Sequence, residues 1–255
     1  MFMNSVLIIA TCFLFLVGHS SWSQQTVAKK DFRLIAHRGG VVDSTASENS
    51  LQALEKAAAR MVEIDVRLTK DGKLITHHDN SFKRSFGLDS TVASMNWTDI
   101  SQLRNSKGYR VQSLEEVFQF CKGRLGVMID NKIRGNDTAV WVRLISLLKK
   151  YGLNETALMI GTDESTDYFT GKIRLSCTRQ QLEENKRKAG YMPSDYYLFS
   201  SKITKEDVTW TRSHGILAVG VVNAWSFGAA EAAEKARSQA GLLIAAGVDC
   251  FQIDS

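Results

Sequence analysis

Proline is almost absent from this chain, and cysteine is scarce. One proline and four cysteines occur in 255 residues. A single proline argues against the proline-rich linkers that separate domains. The cysteines lack the paired spacing of a zinc site. Downstream of residue 23 they are Cys121, Cys177 and Cys250, an odd number that is typical of small buried apolar residues, although one disulfide is left open.

Charge is also missing from one end of the chain. No Asp, Glu, Lys or Arg precedes Lys29, and Val6 to Val17 form an apolar run of 12 residues followed by small residues. A run of that length is too short for a bilayer, which needs about 20 residues. The pattern predicts a signal peptide over 1–23, a mature domain over 24–255 and a periplasmic or secreted protein without a stable membrane span. An uncleaved membrane anchor is the alternative.

The rest of the composition is that of one large globular domain. Hydrophobic residues make up 44% and charged residues 23% of the chain, and the net charge is +5. The positive charge favours a small anionic substrate, although a mixed solvated surface would give the same total. We find no pattern that indicates a nucleic-acid partner, and the oligomeric state is left open.

Short β-prone runs alternate with helical patterns, as in a sheet of parallel strands joined by crossover helices. Eight strands and six helices are predicted. Eight is the number of strands in a β/α barrel. The strands are Arg33–His37, Met61–Val66, Leu125–Asp130, Ala157–Gly161, Lys172–Ser176, Tyr196–Ser200, Leu217–Val222 and Asp249–Ile253. The helices are Ser50–Ala59, Ser113–Lys122, Thr138–Lys149, Arg179–Lys188, Lys205–Ser213 and Ala229–Ala246.

One segment interrupts the alternation. Asp71-Gly72 stands between two β-prone runs, which is a strong hairpin signal. A two-residue connection requires an antiparallel return, so we expect a small arm after the second strand. A two-residue loop would place His78 opposite Asp65, with Cβ atoms roughly 5 Å apart. Another turn type would shift the pairing by one residue and keep His78 level with Glu63 and Asp65.

Two acids in the second strand suggest a metal site. Glu63 and Asp65 are one residue apart, so both side chains point to the same face of a strand. Two carboxylates on an inward face repel each other unless a cation or a proton neutralises them. Ligands that are all oxygen suit Ca²⁺ or Mg²⁺ better than zinc. The alternative is a surface strand with two solvated acids.

His37 and Arg38 follow the first predicted strand. Catalytic groups in a β/α barrel lie at the C-terminal ends of the strands, and His37 falls at such an end. The planar guanidinium of Arg38 suits the oxygens of a phosphate group. With His78 at the hairpin, the chain therefore offers two imidazoles for general acid–base catalysis and a cation for phosphate.

Five motifs follow one another in a fixed order. They are His37-Arg38-Gly39, Glu48-Asn49, Glu63-x-Asp65, His78-Asp79 and Asp130-x-Lys132. In this order they resemble the glycerophosphodiester phosphodiesterase family, within the phospholipase C-like phosphodiesterase superfamily. The resemblance runs from about Arg33 to Asp254 and is most specific in its first half.

The resemblance implies a TIM-type (β/α)8 barrel with a hairpin arm after strand 2. It also implies hydrolysis of glycerophosphodiesters to glycerol 3-phosphate and an alcohol, with the nucleophile either water or a hydroxyl of the substrate's own glycerol. The implied roles are His37 and His78 in catalysis, Glu63, Asp65 and Asp130 on one Ca²⁺ or Mg²⁺, and Arg38, Lys132 and Glu48 on the substrate. Helix capping is an equal alternative for Glu48.

Two departures from the family pattern leave other functions open. Asp130 stands where the family has Glu, and Gly220-Val221 stand where it has a Trp-Thr pair. Asp130 also fits a sphingomyelinase D-like phospholipase, which is the first alternative. A non-catalytic barrel that binds phosphate or lipid head groups is the second.

Overall fold

The computed structural model describes residues 31–40, 46–57, 59–228 and 230–254. The predicted signal peptide over 1–23 therefore lies outside the described residues. Asp31 to the C-terminal end forms one compact unit. Within the described ranges, no helix is both long and apolar enough to cross a membrane.

Eight parallel strands close into a ring, which confirms the predicted TIM-type barrel. Around the ring each strand pairs with the next, and the first strand pairs with both the last and the second. The ring strands are β1 (Arg33–Ala36), β2 (Met61–Leu68), β5 (Gly126–Asn131), β6 (Leu158–Ile160), β7 (Arg174–Cys177), β8 (Tyr196–Ser200), β9 (Leu217–Val222) and β10 (Cys250–Ile253).

Helices follow the strands, and each of the six predicted helices is present with boundaries shifted by a few residues. The helices are α1 (Leu51–Lys56), α2 (Lys83–Phe86), α3 (Trp97–Ile100), α4 (Leu114–Cys121), α5 (Thr138–Lys150), α6 (Thr166–Phe169), α7 (Arg179–Asn185), α8 (Lys205–Ser213) and α9 (Ala232–Ala246). The three short helices α2, α3 and α6 were not predicted, because four residues are too few to show a 3.6-residue period.

The core has two layers that follow the alternation of side chains along each strand. Val62, Ile64 and Val66 of β2 pack outward in the large cluster between strands and helices. A smaller cluster fills the barrel interior and includes Met128 and Tyr197. The opposite face of β2 therefore points its acids into the barrel. Cys121, Cys177 and Cys250 are buried free thiols.

The hairpin after β2 is present, but the predicted register is wrong by one residue. β3 (Leu74–Thr76) pairs antiparallel with β2 so that Val66 lies opposite Thr76. The backbone N–H of His77 donates to the carbonyl of Asp65 at 3.0 Å, so His77 rather than His78 lies opposite Asp65. The loop has three residues because Gly72 adopts φ 78°, which glycine tolerates and which completes a bulged turn.

The segment between β3 and α4 forms a small lobe with its own core. Short strand β4 (Gln112–Ser113) pairs with β3 and so extends the arm to three strands. The lobe buries Ile75, Phe82, Val92, Ile100 and Val111 against one another. This core holds residues 77–86, which carry His78 and its neighbours, beside the barrel mouth.

Candidate active site

Three acids meet at the C-terminal ends of β2 and β5. The register pairs Asp65 with Asp130, and Glu63 lies two residues earlier on the same face of β2. One oxygen from each of Glu63, Asp65 and Asp130 lies within 4.8 Å of the others. The three acids therefore form a cluster that could hold a metal ion at the barrel mouth.

The cluster carries more negative charge than its surroundings neutralise. Glu63 and Asp65 are fully buried. Burial raises the pKa of Glu63 well above its usual range, and the charges of Asp65 and Asp130 raise it further. Glu63 Oε1 and Asp65 Oδ1 have no hydrogen-bond partner among the described residues. Buried, unsatisfied carboxylate oxygens are the ligands that Ca²⁺ and Mg²⁺ take, so the donor set fits a divalent cation.

Lys132 is the cation nearest to this cluster. Its Nζ lies 2.6 Å from Asp130 Oδ2 and 3.4 Å from Asp65 Oδ1. Burial alone would lower the pKa of Lys132, but Asp130, Asp65 and Glu63 outweigh it and raise the pKa. Lys132, which was predicted to bind the phosphate of the substrate, thus has its ammonium group in contact with Asp130 and Asp65 at the barrel mouth.

His37 has a carboxylate partner that the motifs did not reveal. Its Nδ1 lies 2.5 Å from Asp254 Oδ1, and its Nε2 lies 3.8 Å from Glu63 Oε2. β1 and β10 are neighbours, with Ala36 paired to Ile253, so the next residues of both strands meet at the barrel rim. Because the barrel was predicted to close, the acid directly after the last strand could have indicated this contact.

His78 has a similar arrangement on the other side of the mouth. Its Nδ1 lies 2.7 Å from Asp79 Oδ1. Hydrogen bonds from Arg84 lower the pKa of Asp79 far below its usual range, so this carboxyl is ionised and can only accept. The proton of this contact therefore lies on His78 Nδ1. Among the described residues no hydrogen bond occupies Nε2, which is therefore the nitrogen left for proton transfer.

His78 is near enough to the cluster for its charge to act on Asp130. Burial raises the pKa of Asp130, while Lys132 and then His78 oppose that shift. His77, by contrast, is buried and packs its ring on Phe82 at 4.9 Å, with Nε2 3.0 Å from the Ser81 carbonyl oxygen. Of the two adjacent histidines, the one with the His-Asp context therefore faces the mouth.

Arg38 contacts the cluster through its backbone as well as its side chain. It adopts a left-handed conformation with φ 51°, uncommon for a residue with a side chain. Its backbone N–H donates to Glu63 Oε2 at 2.7 Å, and its Nε lies 3.9 Å from Asp65 Oδ2. The strained turn after β1 thus brings a guanidinium next to the acids.

Glu48 lies between two arginines. Arg38 Nη1 donates to Oε2 at 3.0 Å, and Arg84 Nη2 donates to Oε1. Burial alone would raise the pKa of Glu48, but these arginines outweigh it and lower the pKa. Both of its oxygens are thus occupied by protein groups, which favours a role in holding Arg38. Helix capping is performed by Ser50, whose Oγ accepts from the Ala53 N–H at 3.2 Å.

Asn49 belongs to the Glu48-Asn49 motif, but the sequence analysis gave it no role in the site. It is buried with φ 58°. Its Nδ2 donates to Asp65 Oδ2 at 2.9 Å, and its Oδ1 accepts from the Asp65 N–H at 3.1 Å. Asparagine tolerates the left-handed region, which a residue between Glu48 and Ser50 must adopt here. Apart from the Glu48-Asn49 motif, that tolerance was the local signal for this conformation.

Comparison with known proteins places this site in a family. Residues 37–161 match the model of the glycerophosphoryl diester phosphodiesterase family. A human lysophospholipase D is 28% identical over 49% of this chain and 43% of its own length. A glycerophosphodiester phosphodiesterase of Caldanaerobacter subterraneus is 27% identical over 49% of this chain and 56% of its own length. The chain thus spans about half the length of these relatives.

A longer match and the solved structures extend the likeness. A glycerophosphodiester phosphodiesterase of Bacillus subtilis is 26% identical over 72% of this chain and 73% of its own. A crystal structure of such a phosphodiesterase from Parabacteroides distasonis superposes with a TM-score of 0.70 and 21% identity, over 89% of this chain and 84% of that one. This superposition supports the barrel fold. The motifs, the family model and the curated relatives agree that the chain belongs to the glycerophosphodiester phosphodiesterase family.

Proposed function

We propose that this protein hydrolyses glycerophosphodiesters to glycerol 3-phosphate and an alcohol, with a divalent cation as cofactor. One observation carries the proposal. His37 and His78 each have Nδ1 on a carboxylate and lie beside the cluster of Glu63, Asp65 and Asp130. The named activity of the curated phosphodiesterases supports it. So does an Oleispira antarctica phosphodiesterase, 19% identical with a TM-score of 0.63 over 86% of this chain and 92% of that one, which was solved with sn-glycerol-3-phosphate.

The arrangement meets the electrostatic demand of the reaction, which is compensation of the phosphate charge. A phosphodiester is anionic, and its charge repels a nucleophile until cations compensate for it. Arg38 and Lys132 lie at the mouth and would contact the nonbridging oxygens, while Glu48 keeps the Arg38 guanidinium in place. A Ca²⁺ or Mg²⁺ on Glu63, Asp65 and Asp130 would supply further charge neutralisation.

The two imidazoles meet the demand for proton transfer. One Nε2 takes the proton of the attacking hydroxyl as its oxygen bonds to phosphorus. The other imidazole, protonated, gives its proton to the leaving alkoxide as the second P–O bond breaks. If the nucleophile is a hydroxyl of the substrate's glycerol, water opens the resulting cyclic phosphate and the two histidines exchange roles. Asp79 and Asp254 hold each ring through Nδ1 and so present Nε2 in both steps.

The test is release of glycerol 3-phosphate from glycerophosphocholine, glycerophosphoethanolamine and glycerophosphoglycerol, with Ca²⁺, Mg²⁺ or a chelator. We expect a chelator-sensitive activity that His78→Ala lowers about 10²- to 10⁴-fold, the usual contribution of one acid–base group. His214→Ala is the matched control, since His214 ends α8 at the opposite end of the barrel. The proposal would be contradicted if the His78→Ala variant, and the wild-type protein in chelator, both kept the rate of the untreated wild-type protein.

A second candidate comes from the human relative, which is named a lysophospholipase D. Lysophosphatidylcholine differs from glycerophosphocholine by one acyl chain, so both belong in the assay. Cleavage of acylated substrates alone would replace the proposed substrate class. It would equally favour the sphingomyelinase D-like alternative. A chain that binds glycerol 3-phosphate but cleaves neither substrate would be the non-catalytic barrel.

A further inference from the structure

Arg67 continues the row of functional side chains on β2. Glu63, Asp65 and Arg67 alternate along one strand and therefore share a face. Arg67 lies opposite Ile75 of β3, where the arm leaves the barrel rim. No role was assigned to it by the motifs, and the proposed mechanism does not use it.

The guanidinium of Arg67 binds one backbone atom. Its Nε and Nη2 donate to the carbonyl oxygen of His78 at 3.0 and 2.6 Å. Arg67 is half-buried, and no carboxylate lies within ion-pair distance of it in the part of the chain that the structure describes. Burial lowers the pKa of Arg67, against the opposing charges of Asp65, Asp79 and Asp130. The Arg67 guanidinium thus bonds a backbone carbonyl although three acids lie near it, and this choice of partner requires an explanation.

The position of His78 supplies that explanation. The antiparallel ladder ends at the bond from the His77 N–H to the Asp65 carbonyl, so His78 lies beyond regular structure. On one side, the His77 ring is anchored on Phe82. Asp79 fixes the ring orientation of His78 and is itself held by Arg84, but this contact acts on the His78 side chain and not on its backbone. Of these contacts, the fork from Arg67 is the one that ties the His78 backbone to a barrel strand.

We infer that Arg67 is a positioning residue that holds His78 at a fixed distance from the carboxylate cluster through its backbone carbonyl. The inference rests on the proposed catalytic role of His78. A planar guanidinium that donates twice to one oxygen restricts both distance and direction. Displacement of a reacting group by about 1 Å can cost roughly 10²-fold in rate, so this contact is expected to influence kcat.

The chain offers a matched control in Arg134. It is an exposed arginine two residues beyond Lys132 on the neighbouring strand end, and its positive charge is near enough to lower the pKa of Arg67. In the described ranges it makes no hydrogen bond to His78. Arg134→Met therefore removes a cation from the same rim without releasing the turn.

The experiment compares Arg67→Met, Arg67→Lys and Arg134→Met with the wild-type chain in two measurements. For Arg67→Met we expect kcat for glycerophosphodiester cleavage to fall about 10²-fold with KM within about threefold. Arg67→Lys keeps a donor and should recover part of kcat, and Arg134→Met should keep it. The amides of His77 and Phe82, bonded to the Asp65 and Ser90 carbonyls, should exchange with solvent roughly tenfold faster in Arg67→Met, since a charged hydrogen bond is lost.

Each other result overturns the inference. Unchanged amide exchange in Arg67→Met would show that the fork does not hold the turn. Faster exchange with wild-type kcat would show that the turn does not position a catalytic group. An equal loss in Arg134→Met, or a change confined to KM, would make Arg67 a rim charge for the substrate. If wild-type protein releases no glycerol 3-phosphate, the proposed function fails, while the exchange measurement still decides whether Arg67 holds His78.

Discussion

At the scale of single residues, Asn49 connects the loop after β1 to β2, the strand that carries Glu63 and Asp65. It bonds both the backbone and the carboxylate of Asp65, which are buried. Asn49→Ala leaves these groups without hydrogen bonds, which should lower the free energy of unfolding by about 1–3 kcal/mol. The left-handed φ of 58° should add about 1 kcal/mol for alanine. We expect urea unfolding to show the sum of both, and calorimetry to show Ca²⁺ affinity about 10- to 100-fold lower, the usual effect of an outer-shell partner.

Asn49→Gly separates the loss of the hydrogen bonds from the strain of the positive φ. Glycine adopts a positive φ without strain, so this variant should lose the hydrogen bonds but not the conformational term. It should be more stable than Asn49→Ala by about 1 kcal/mol and bind Ca²⁺ equally weakly. Wild-type Ca²⁺ affinity in both variants would show that Asp65 does not depend on Asn49.

Glu63 makes the metal-free fold sensitive to pH. Burial, Asp65 and Asp130 raise its folded-state pKa well above 4.5. Between the two pKa values the folded chain holds a proton that the unfolded chain has released. Stability therefore falls as pH rises through that window. Glu63→Gln removes this titration, so in chelator its free energy of unfolding should fall less between pH 5 and pH 7 than that of the wild type. Parallel curves from urea unfolding would contradict this.

The acids and histidines of this site were more predictable than the residues that hold them in place. His37, His78, Glu63, Asp65 and Asp130 could be grouped in advance because they stand at strand ends or beside the hairpin and match the motifs of the family. The roles of Asn49 and Asp254 could not be predicted, because they depend on a left-handed φ at Asn49 and on a contact across more than 200 residues at Asp254. Residues that orient others carry little chemical signal of their own.

At the scale of elements, strand positions were predictable and the hairpin register was not. Buried parallel strands are continuous apolar runs, so all eight could be read from composition. The turn depends on Asp71, whose Oδ1 accepts from Thr69 Oγ1 at 2.5 Å and from the Trp97 N–H at 3.0 Å. The second contact comes from 26 residues away. A tertiary bond thus contributes to the choice between two- and three-residue loops that Asp-Gly alone leaves open.

Helix α4 offers a test of how the arm is attached to the barrel. Ser113 ends β4 and caps α4, with Oγ accepting from the Glu116 N–H at 3.3 Å while Glu116 Oε2 accepts from the Ser113 N–H at 2.8 Å. Ser113→Ala should lower the free energy of unfolding by about 1 kcal/mol. Thr178→Ala in the capping box of α7 is the control for a cap outside the arm. If the arm is coupled to the cap, only Ser113→Ala should also speed amide exchange at Ile75, which pairs with Ser113.

At the scale of the whole molecule, the site exists only when the barrel is closed. Its groups come from the ends of β1, β2, β5 and β10 and from the arm, and Asp254 reaches His37 across the seam between the last and first strands. The unfolded chain cannot reproduce this arrangement. A ligand of the carboxylate cluster therefore binds the native state alone and stabilises it by mass action.

Addition of Ca²⁺ or Mg²⁺ should consequently raise Tm. At an ion concentration of about 100 Kd the gain is about 2.7 kcal/mol, or roughly 5–10 °C for a chain of this size. The shift should be larger at pH 8 than at pH 5, because protons compete with the ion for Glu63, whose pKa is raised. Asp65→Asn should abolish the shift, whereas Glu164→Gln, an acid outside the cluster, should retain it. If Tm is the same with ion and with chelator while hydrolysis continues, Arg38, Lys132 and the two histidines must carry the reaction without a metal.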